Sequence, residues 1–310
     1  MEFKALRTLL MRTLVLLLIT FAADRVIAMG LRRALPHSGF RFSVAARGGI
    51  PSGILLIGDS RAVFGLYAPE LARQLHEPVF SMAFNGMSTL IEEAMLRDAL
   101  AHNPKPRMLV LEVTNIPDDH LLIEGLRCYW DSGPALGALA DSLRPRVRAA
   151  TRLSHLFAFN GESALRALYY ARKSDQDWAN HYSMEAALLD SARLSGPIQL
   201  TARPENLAAL ARIRAMAREA GIPVRLVVSP YLQPYAAHFS NWNEWLDRIR
   251  ATGDPSERIW DYSLADSTTA HFADRLHLNE DGSIPFAQRL VADGVFKDAA
   301  PDSAGSAAQH

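Results

Sequence analysis

The sequence predicts an α/β protein in which a central, mainly parallel sheet of about five strands lies between two layers of helices. Three observations predict this fold class. Short, continuously apolar runs are typical of strands covered on both faces, and they alternate here with segments of helical periodicity. Polar residues follow several of these runs directly. The 310 residues are 49% hydrophobic and 21% charged, which is enough apolar material for one sizeable core.

The apolar runs predict the strands in chain order. They are residues 53–57, 78–82, 108–113, 224–228 and 258–261. Thr89-Leu-Ile-Glu92 fits a capping box and Asn103-Pro104 fits a stop, so a helix is expected between the second and third strands. Further helices are expected over 204–220 and 284–296. Right-handed crossovers would bring all strand carboxyl ends to one edge, where active sites of such sheets lie.

The first thirty residues have the pattern of an export signal. Lys4, Arg7 and Arg12 precede the apolar run 13–23. Residues 1–30 are therefore predicted to be a signal-anchor or a signal peptide, and a buried amphipathic helix is a third interpretation. We expect the protein in the cell envelope, held by the membrane through this segment, or secreted if the segment is cleaved.

The rest of the chain is predicted to form one main domain over 31–298. Between about 116 and 203 the alternating pattern gives way to a helical insertion rich in aromatic residues, which either form a small core of their own or a wall that stacks on sugars. Residues 299–310 have the composition of a disordered tail.

Charge and motif content argue against several classes of protein. The 33 basic and 33 acidic residues cancel, so no overall field recruits nucleic acid. Cys128 is the single cysteine, which excludes an intrachain disulfide and is most simply a buried, inert thiol. No metal-ligand spacing and no phosphate-binding or dinucleotide-binding glycine motif is evident, so we expect neither a metal nor a cofactor.

Two motifs carry residues suited to acyl chemistry. Gly58-Asp59-Ser60 follows the first predicted strand and precedes a first helical turn, which would place the Ser60 hydroxyl beside free backbone N–H groups. Near the carboxyl end, Asp274 and His277 stand three residues apart in a polar loop. A serine hydroxyl needs a base such as imidazole, and a carboxylate would orient that imidazole. Alternatively, Asp59 or Ser60 merely caps a helix.

Taken in order, these motifs resemble the SGNH/GDSL hydrolase family. That family places a glycine and an asparagine after the next two strands, and here Asn85-Gly86 and Asn115 occupy those positions. The resemblance implies a flavodoxin-like SGNH fold and a catalytic set of Ser60, Asp274 and His277. It also implies an oxyanion hole made by the Ser60 N–H, by Gly86 or Asn85, and by Asn115. The residues around Asn115 depart from the Gly-x-Asn-Asp pattern that the family usually has there.

The resemblance further implies a serine esterase or acyltransferase that works through an acyl-Ser60 intermediate. For an exported member we expect O-acyl groups of envelope or secreted polysaccharide as substrate, and a place in a polysaccharide-modifying complex. A catalytically silent, glycan-binding scaffold and a lipase or thioesterase are the alternatives. Arg61 is expected either to bind a substrate carboxylate or sugar hydroxyl, or to be solvated or paired within the protein.

Overall fold

The computed structural model describes residues 2–113 and 122–297. The chain divides into two compact units. The first comprises Met1–Ile50, Ala94–Asn103 and Asp119–Asp175, and the second comprises Pro51–Glu93, Pro104–Asp118 and Gln176–His310. The predicted tail at 299–310 and the predicted oxyanion residue Asn115 lie outside the described residues.

The second unit is built on a five-stranded sheet. Its strands are β1 (Ile54–Ile57), β2 (Val79–Ser81), β3 (Met108–Glu112), β4 (Val224–Val228) and β5 (Ile259–Asp261). Their spatial order is β2-β1-β3-β4-β5, and each neighbouring pair is parallel. This is the flavodoxin-like order of a doubly wound sheet. The predicted strands and the three-layer α/β/α fold class are therefore confirmed.

The described residues contain fourteen α-helices and four short 3-10 helices. The α-helices are α1 (Glu2–Ala34), α2 (Arg41–Ala46), α3 (Ser60–Gly65), α4 (Ala68–Leu75), α5 (Thr89–His102), α6 (Leu122–Gly125), α7 (Pro134–Leu143), α8 (Pro145–Leu153), α9 (Glu162–Tyr169), α10 (Ala186–Arg193), α11 (Pro204–Glu219), α12 (Gln233–Ala236), α13 (Trp242–Arg250) and α14 (Glu280–Ala292). The 3-10 helices are Leu35–His37, Arg127–Tyr129, Leu156–Phe159 and Thr269–His271.

Strands β1 and β3 are buried along their whole length because both faces of the sheet are covered. Ile54 and Leu56 belong to a core cluster that also contains Leu71 of α4 and Leu290 of α14. Successive side chains of a strand point to opposite faces, so the equally buried Leu55 lies on the other side of the sheet. All strands are parallel, so their carboxyl ends meet at one edge of the sheet.

The first unit has an aromatic core drawn from distant parts of the chain. The ring centroids of Phe40 and Phe42 lie 6.2 and 6.0 Å, respectively, from that of Tyr129. Trp130 is also fully buried, whereas Tyr169 is 66% exposed. The aromatic residues of the predicted insertion thus do not form a core by themselves, because residues that precede β1 complete it.

Helix α1 is longer than the predicted export segment and is continuous to Ala34. By length and composition it could cross a membrane, and most of its apolar surface is exposed. Near its carboxyl end, the Asp24 carboxylate accepts hydrogen bonds from the Ser154 hydroxyl at 2.7 Å and from the His155 and Leu156 N–H groups at 2.9 and 3.0 Å. The last third of α1 is therefore integrated into the first unit.

Several helix boundaries differ from the predictions, and α14 ends at Ala292 rather than at residue 296. Helix α14 begins at Glu280 rather than Ile284, because the Asn279 side chain accepts a hydrogen bond from the Gly282 N–H and caps the helix there. Helix α5 begins at Thr89 itself, so Thr89 is its first residue and not the cap that the capping-box pattern predicts.

Candidate active site

Ser60 lies at a sharp corner between β1 and α3. Gly58 has a φ of +151°, and a Cβ atom there would lie 2.6 Å from the Ala62 Cβ, so only glycine fits. The Asp59 carboxylate then accepts a hydrogen bond from the Arg61 N–H at 2.9 Å and caps α3. Since Asp59 is the cap, the Ser60 hydroxyl is available for another partner.

That partner is His277. The Ser60 Oγ lies 2.8 Å from His277 Nε2, and His277 Nδ1 lies 2.8 Å from Asp274 Oδ2. The side chains of His277 and Asp274 are 18% and 38% exposed, so solvent reaches the pair. Phe64 of α3 meets the imidazole edge-on, with 5.4 Å between ring centroids. The structure thus brings together the three residues that the sequence analysis selected, although 217 positions separate Ser60 from His277.

The Asp274–His277 loop is held together by hydrogen bonds to its own backbone. Asp274 Oδ1 accepts hydrogen bonds from the N–H groups of Leu276 and His277 at 2.7 and 3.0 Å. The Ala273 N–H donates to the His277 carbonyl at 3.0 Å. Burial favours the neutral acid, but the hydrogen bonds and charge of His277 and the two backbone N–H groups outweigh it and lower the pKa of Asp274.

The predicted oxyanion turn runs beside the Ser60 corner. The Phe84 N–H donates to the Gly58 carbonyl at 3.1 Å, which brings the following residues, Asn85 and Gly86, to the same edge of the sheet. Both of these residues are exposed, and Gly86 has a φ of +71°. Among the described residues other than Gly86 and its two chain neighbours, no atom lies within 4 Å of the position that a Gly86 Cβ would take.

Arg61 is paired within the protein and does not reach a surface where it could bind substrate. Its side chain is fully buried, and its guanidinium donates to the main-chain carbonyls of Leu276 and Ser229. Its Nε lies 3.4 Å from the Glu112 Oε1, which also accepts the Ser229 N–H at 3.1 Å. Leu276 immediately precedes the site histidine. Arg61 therefore ties the serine helix to the histidine loop and to the ends of β3 and β4.

A buried group of carboxyl side chains beneath the corner was not foreseen from the sequence. Glu92 of α5 is only 7% exposed, and Asp59 and Glu112 are buried beside it. Burial, followed by the charges of Asp59 and Glu112, raises the pKa of Glu92 well above its ordinary value. The helical pattern around Glu92 suggested a capping role, and no local signal distinguishes that role from burial.

Cys128 is a buried thiol of the first unit. Burial raises its pKa to about 12, so the thiolate is scarce at neutral pH. Among the residues that the structure describes, no group of three or more His, Cys, Asp or Glu side chains could hold a metal ion.

Comparisons with known proteins do not place the chain in a family. No protein-family model matches the chain, and no curated protein matches it. One solved structure, from Streptococcus pneumonia and provisionally named a platelet activating factor, is 12% identical to this chain with a TM-score of 0.40. The match covers 92% of this chain and 99% of that one. At this level of similarity the neighbour supports no argument about activity.

Proposed function

We propose that the protein is a serine-dependent ester hydrolase or acyltransferase of the SGNH/GDSL type. The observation that carries the proposal is the continuous hydrogen-bonded series Ser60 Oγ, His277 Nε2, His277 Nδ1 and Asp274 Oδ2, with 2.8 Å at both side-chain contacts. A nucleophile within reach of a base that a third group orients is the arrangement that acyl transfer through serine requires.

In the acylation step the Ser60 oxygen attacks the ester carbonyl carbon while its proton passes to His277 Nε2. His277 carries its other proton on Nδ1, facing the Asp274 carboxylate, and this carboxylate stabilises the imidazolium that forms. When the tetrahedral intermediate collapses, the bond from carbon to the alcohol oxygen breaks, and Nε2 returns the proton to the departing alcohol. The product is an acyl-Ser60 ester.

The carbonyl oxygen becomes negative in the tetrahedral intermediate, and hydrogen-bond donors must stabilise that charge. The Ser60 N–H, in the first turn of α3, is one candidate because helix N-termini carry free N–H groups. The open turn at Asn85 and Gly86 supplies a second candidate, and we retain Asn115 as the proposed third. Each donor of this kind contributes about 3 kcal/mol of transition-state stabilisation.

Deacylation repeats the same chemistry with a second oxygen nucleophile. His277 removes a proton from water or from a sugar hydroxyl, whose oxygen attacks the acyl carbon, and Ser60 leaves with the returned proton. Water gives hydrolysis and a sugar hydroxyl gives transfer.

The proposed substrates are O-acyl groups of envelope or secreted polysaccharide. Helix α1 supports this setting, since an apolar helix near the N-terminus is compatible with anchoring the protein outside the cytoplasm. An extracytoplasmic, periplasmic position and a role in a polysaccharide-modifying complex are parts of the proposal. The assembled hydrogen-bond series favours an enzyme over a catalytically silent glycan-binding scaffold.

The test is hydrolysis of p-nitrophenyl acetate by the wild type, Ser60→Ala and Asp274→Asn. We expect Ser60→Ala to abolish turnover above background, and Asp274→Asn to lower kcat by about 10³–10⁴-fold because the imidazole loses its orienting charge. Wild-type turnover that survives Ser60→Ala would remove Ser60 from the mechanism.

A further inference from the structure

A segment without helix or strand, Gln176 to His181, forms a strap along the edge of the sheet. Strand β2 lies at one edge of the sheet, and a side chain of the strap forms hydrogen bonds with its main chain. The Ser81 N–H donates to Gln176 Oε1 at 2.6 Å, and Gln176 Nε2 donates to the Ser81 carbonyl at 3.2 Å. These two hydrogen bonds fix the start of the strap against β2.

The strap then contacts the chain next to each part of the candidate site. The Tyr67 hydroxyl, two residues beyond α3, donates to Asp177. The Trp178 ring lies 5.3 Å, between centroids, from Phe84, which directly precedes the Asn85–Gly86 turn.

On the histidine side, the Glu280 N–H donates to the Asn180 carbonyl at 2.8 Å, three residues beyond His277. His181 Nδ1 lies 2.8 Å from Glu280 Oε2. Because the strap is held beside the serine helix, the oxyanion turn and the histidine loop, it borders the space next to the site and several contacts resist its displacement.

The central residue of the strap, Trp178, presents an apolar ring. Trp178 is partly buried and packs against the core cluster, as does Phe64, which contacts the His277 ring. Aromatic surface beside a nucleophile suits a hydrocarbon group better than a charged one, because apolar contact costs no desolvation of polar groups. A fixed wall also limits how long that group can be.

We propose that Trp178 closes the acyl side of the site and restricts the enzyme to esters of short acyl groups, of about two to four carbons. This inference rests on the proposed function. It names the substrate class of the same site, and it separates the protein from a lipase or long-chain thioesterase, whose acyl chains would have to displace the strap.

The test compares kcat/KM for p-nitrophenyl acetate, butyrate and octanoate. The wild type is expected to prefer acetate, and Trp178→Ala is expected to raise the octanoate-to-acetate ratio about tenfold or more, the scale on which apolar pockets discriminate. Trp178→Phe, which keeps a ring, should stay within about threefold of the wild type. Trp242→Ala is the matched control, because Trp242 is also partly buried. It lies by the opposite edge strand, where its indole N–H donates a hydrogen bond to Asp261 of β5.

An unchanged ratio in folded Trp178→Ala, or a wild type that prefers octanoate, would overturn the inference while leaving Ser60-dependent hydrolysis intact. If Trp178→Ala does not fold, Trp178→Leu replaces it and must shift the ratio in the same direction. Should the wild type hydrolyse none of the three esters, and Ser60→Ala be indistinguishable from it, the proposed function itself fails and the inference with it.

Discussion

At the scale of single residues, the three positions around the nucleophile have different tasks. Asp59 caps α3, Ser60 faces the imidazole, and Arg61 turns inward to join the helix to the loop before His277. Arg61 is thus a positioning residue for the proposed reaction. Its guanidinium also lies 3.5 Å over the Tyr231 ring, a contact that a lysine cannot reproduce with the same planar geometry.

We expect Arg61→Lys to lower kcat about 10- to 100-fold while KM changes little, because a displaced histidine loop weakens proton transfer more than substrate binding. Steady-state kinetics with p-nitrophenyl acetate measures both constants.

The matched control for this prediction is Arg214→Lys. Arg214 is likewise buried, and it binds the Ile249 and Asp254 carbonyls and the Glu257 carboxylate, away from Ser60. Both variants should lower Tm, but only Arg61→Lys should lower kcat. Equal kcat values in the two variants would mean that Arg61 stabilises the fold without positioning the site.

At the scale of secondary structure elements, α5 places the carboxyl group of Glu92 in the interior. The folded-state pKa of Glu92 is raised above its unfolded value, so the folded state keeps a proton that the unfolded state releases. The stability associated with this group is complete below the unfolded pKa, about 4.3, and is lost as pH rises toward the folded-state pKa.

Glu92→Gln should therefore be more stable than the wild type at pH 8, with the difference vanishing near pH 4. Urea unfolding at several pH values measures this. Glu219→Gln, at an exposed position of α11, is the control and should show no such trend. A difference for Glu92→Gln that does not depend on pH would contradict the account.

The elements also show what a sequence can predict. The five strands were predictable because a strand that is buried on both faces, such as 54–57, consists of an uninterrupted run of apolar residues. The proximity of Ser60, Asp274 and His277 was predictable because each lies in a recognisable local pattern and parallel strands collect their carboxyl ends at one edge. Their catalytic role stays a prediction.

Other features depended on contacts that no local pattern contains. Glu92 has the spacing of a capping residue, yet tertiary packing buries it near the carboxyl groups of Asp59 and Glu112. Arg61 reaches carbonyls more than 160 positions away. Likewise, the strap at Trp178 belongs by sequence to a helical insertion, but it contributes to the second unit.

At the scale of the whole molecule, α1 combines two roles. Its first two-thirds expose apolar side chains, whereas Asp24 and the fully buried Ala28 belong to the structure of the first unit. We expect the full-length protein to sediment with membranes and to require detergent for release. A variant lacking residues 2–20 should be released without detergent and keep its esterase activity, because the candidate site lies wholly in the second unit.

Differential centrifugation followed by an ester assay of both fractions tests this division. Asp24→Ala in the shortened protein provides a control, since it should lower Tm by removing the acceptor for Ser154, His155 and Leu156. A shortened protein that remains in the membrane pellet, or that loses activity while folded, would contradict the assignment of α1 as a separable anchor.

The central claim is that Ser60 is a nucleophile activated by His277. The most direct measurement is covalent labelling by a fluorophosphonate probe, with the modified residue located by mass spectrometry. We expect a single adduct on Ser60 in the wild type, none in Ser60→Ala, and labelling slowed by at least about 100-fold in His277→Ala. A folded wild type that stays unlabelled, or an adduct that persists in Ser60→Ala, would contradict it.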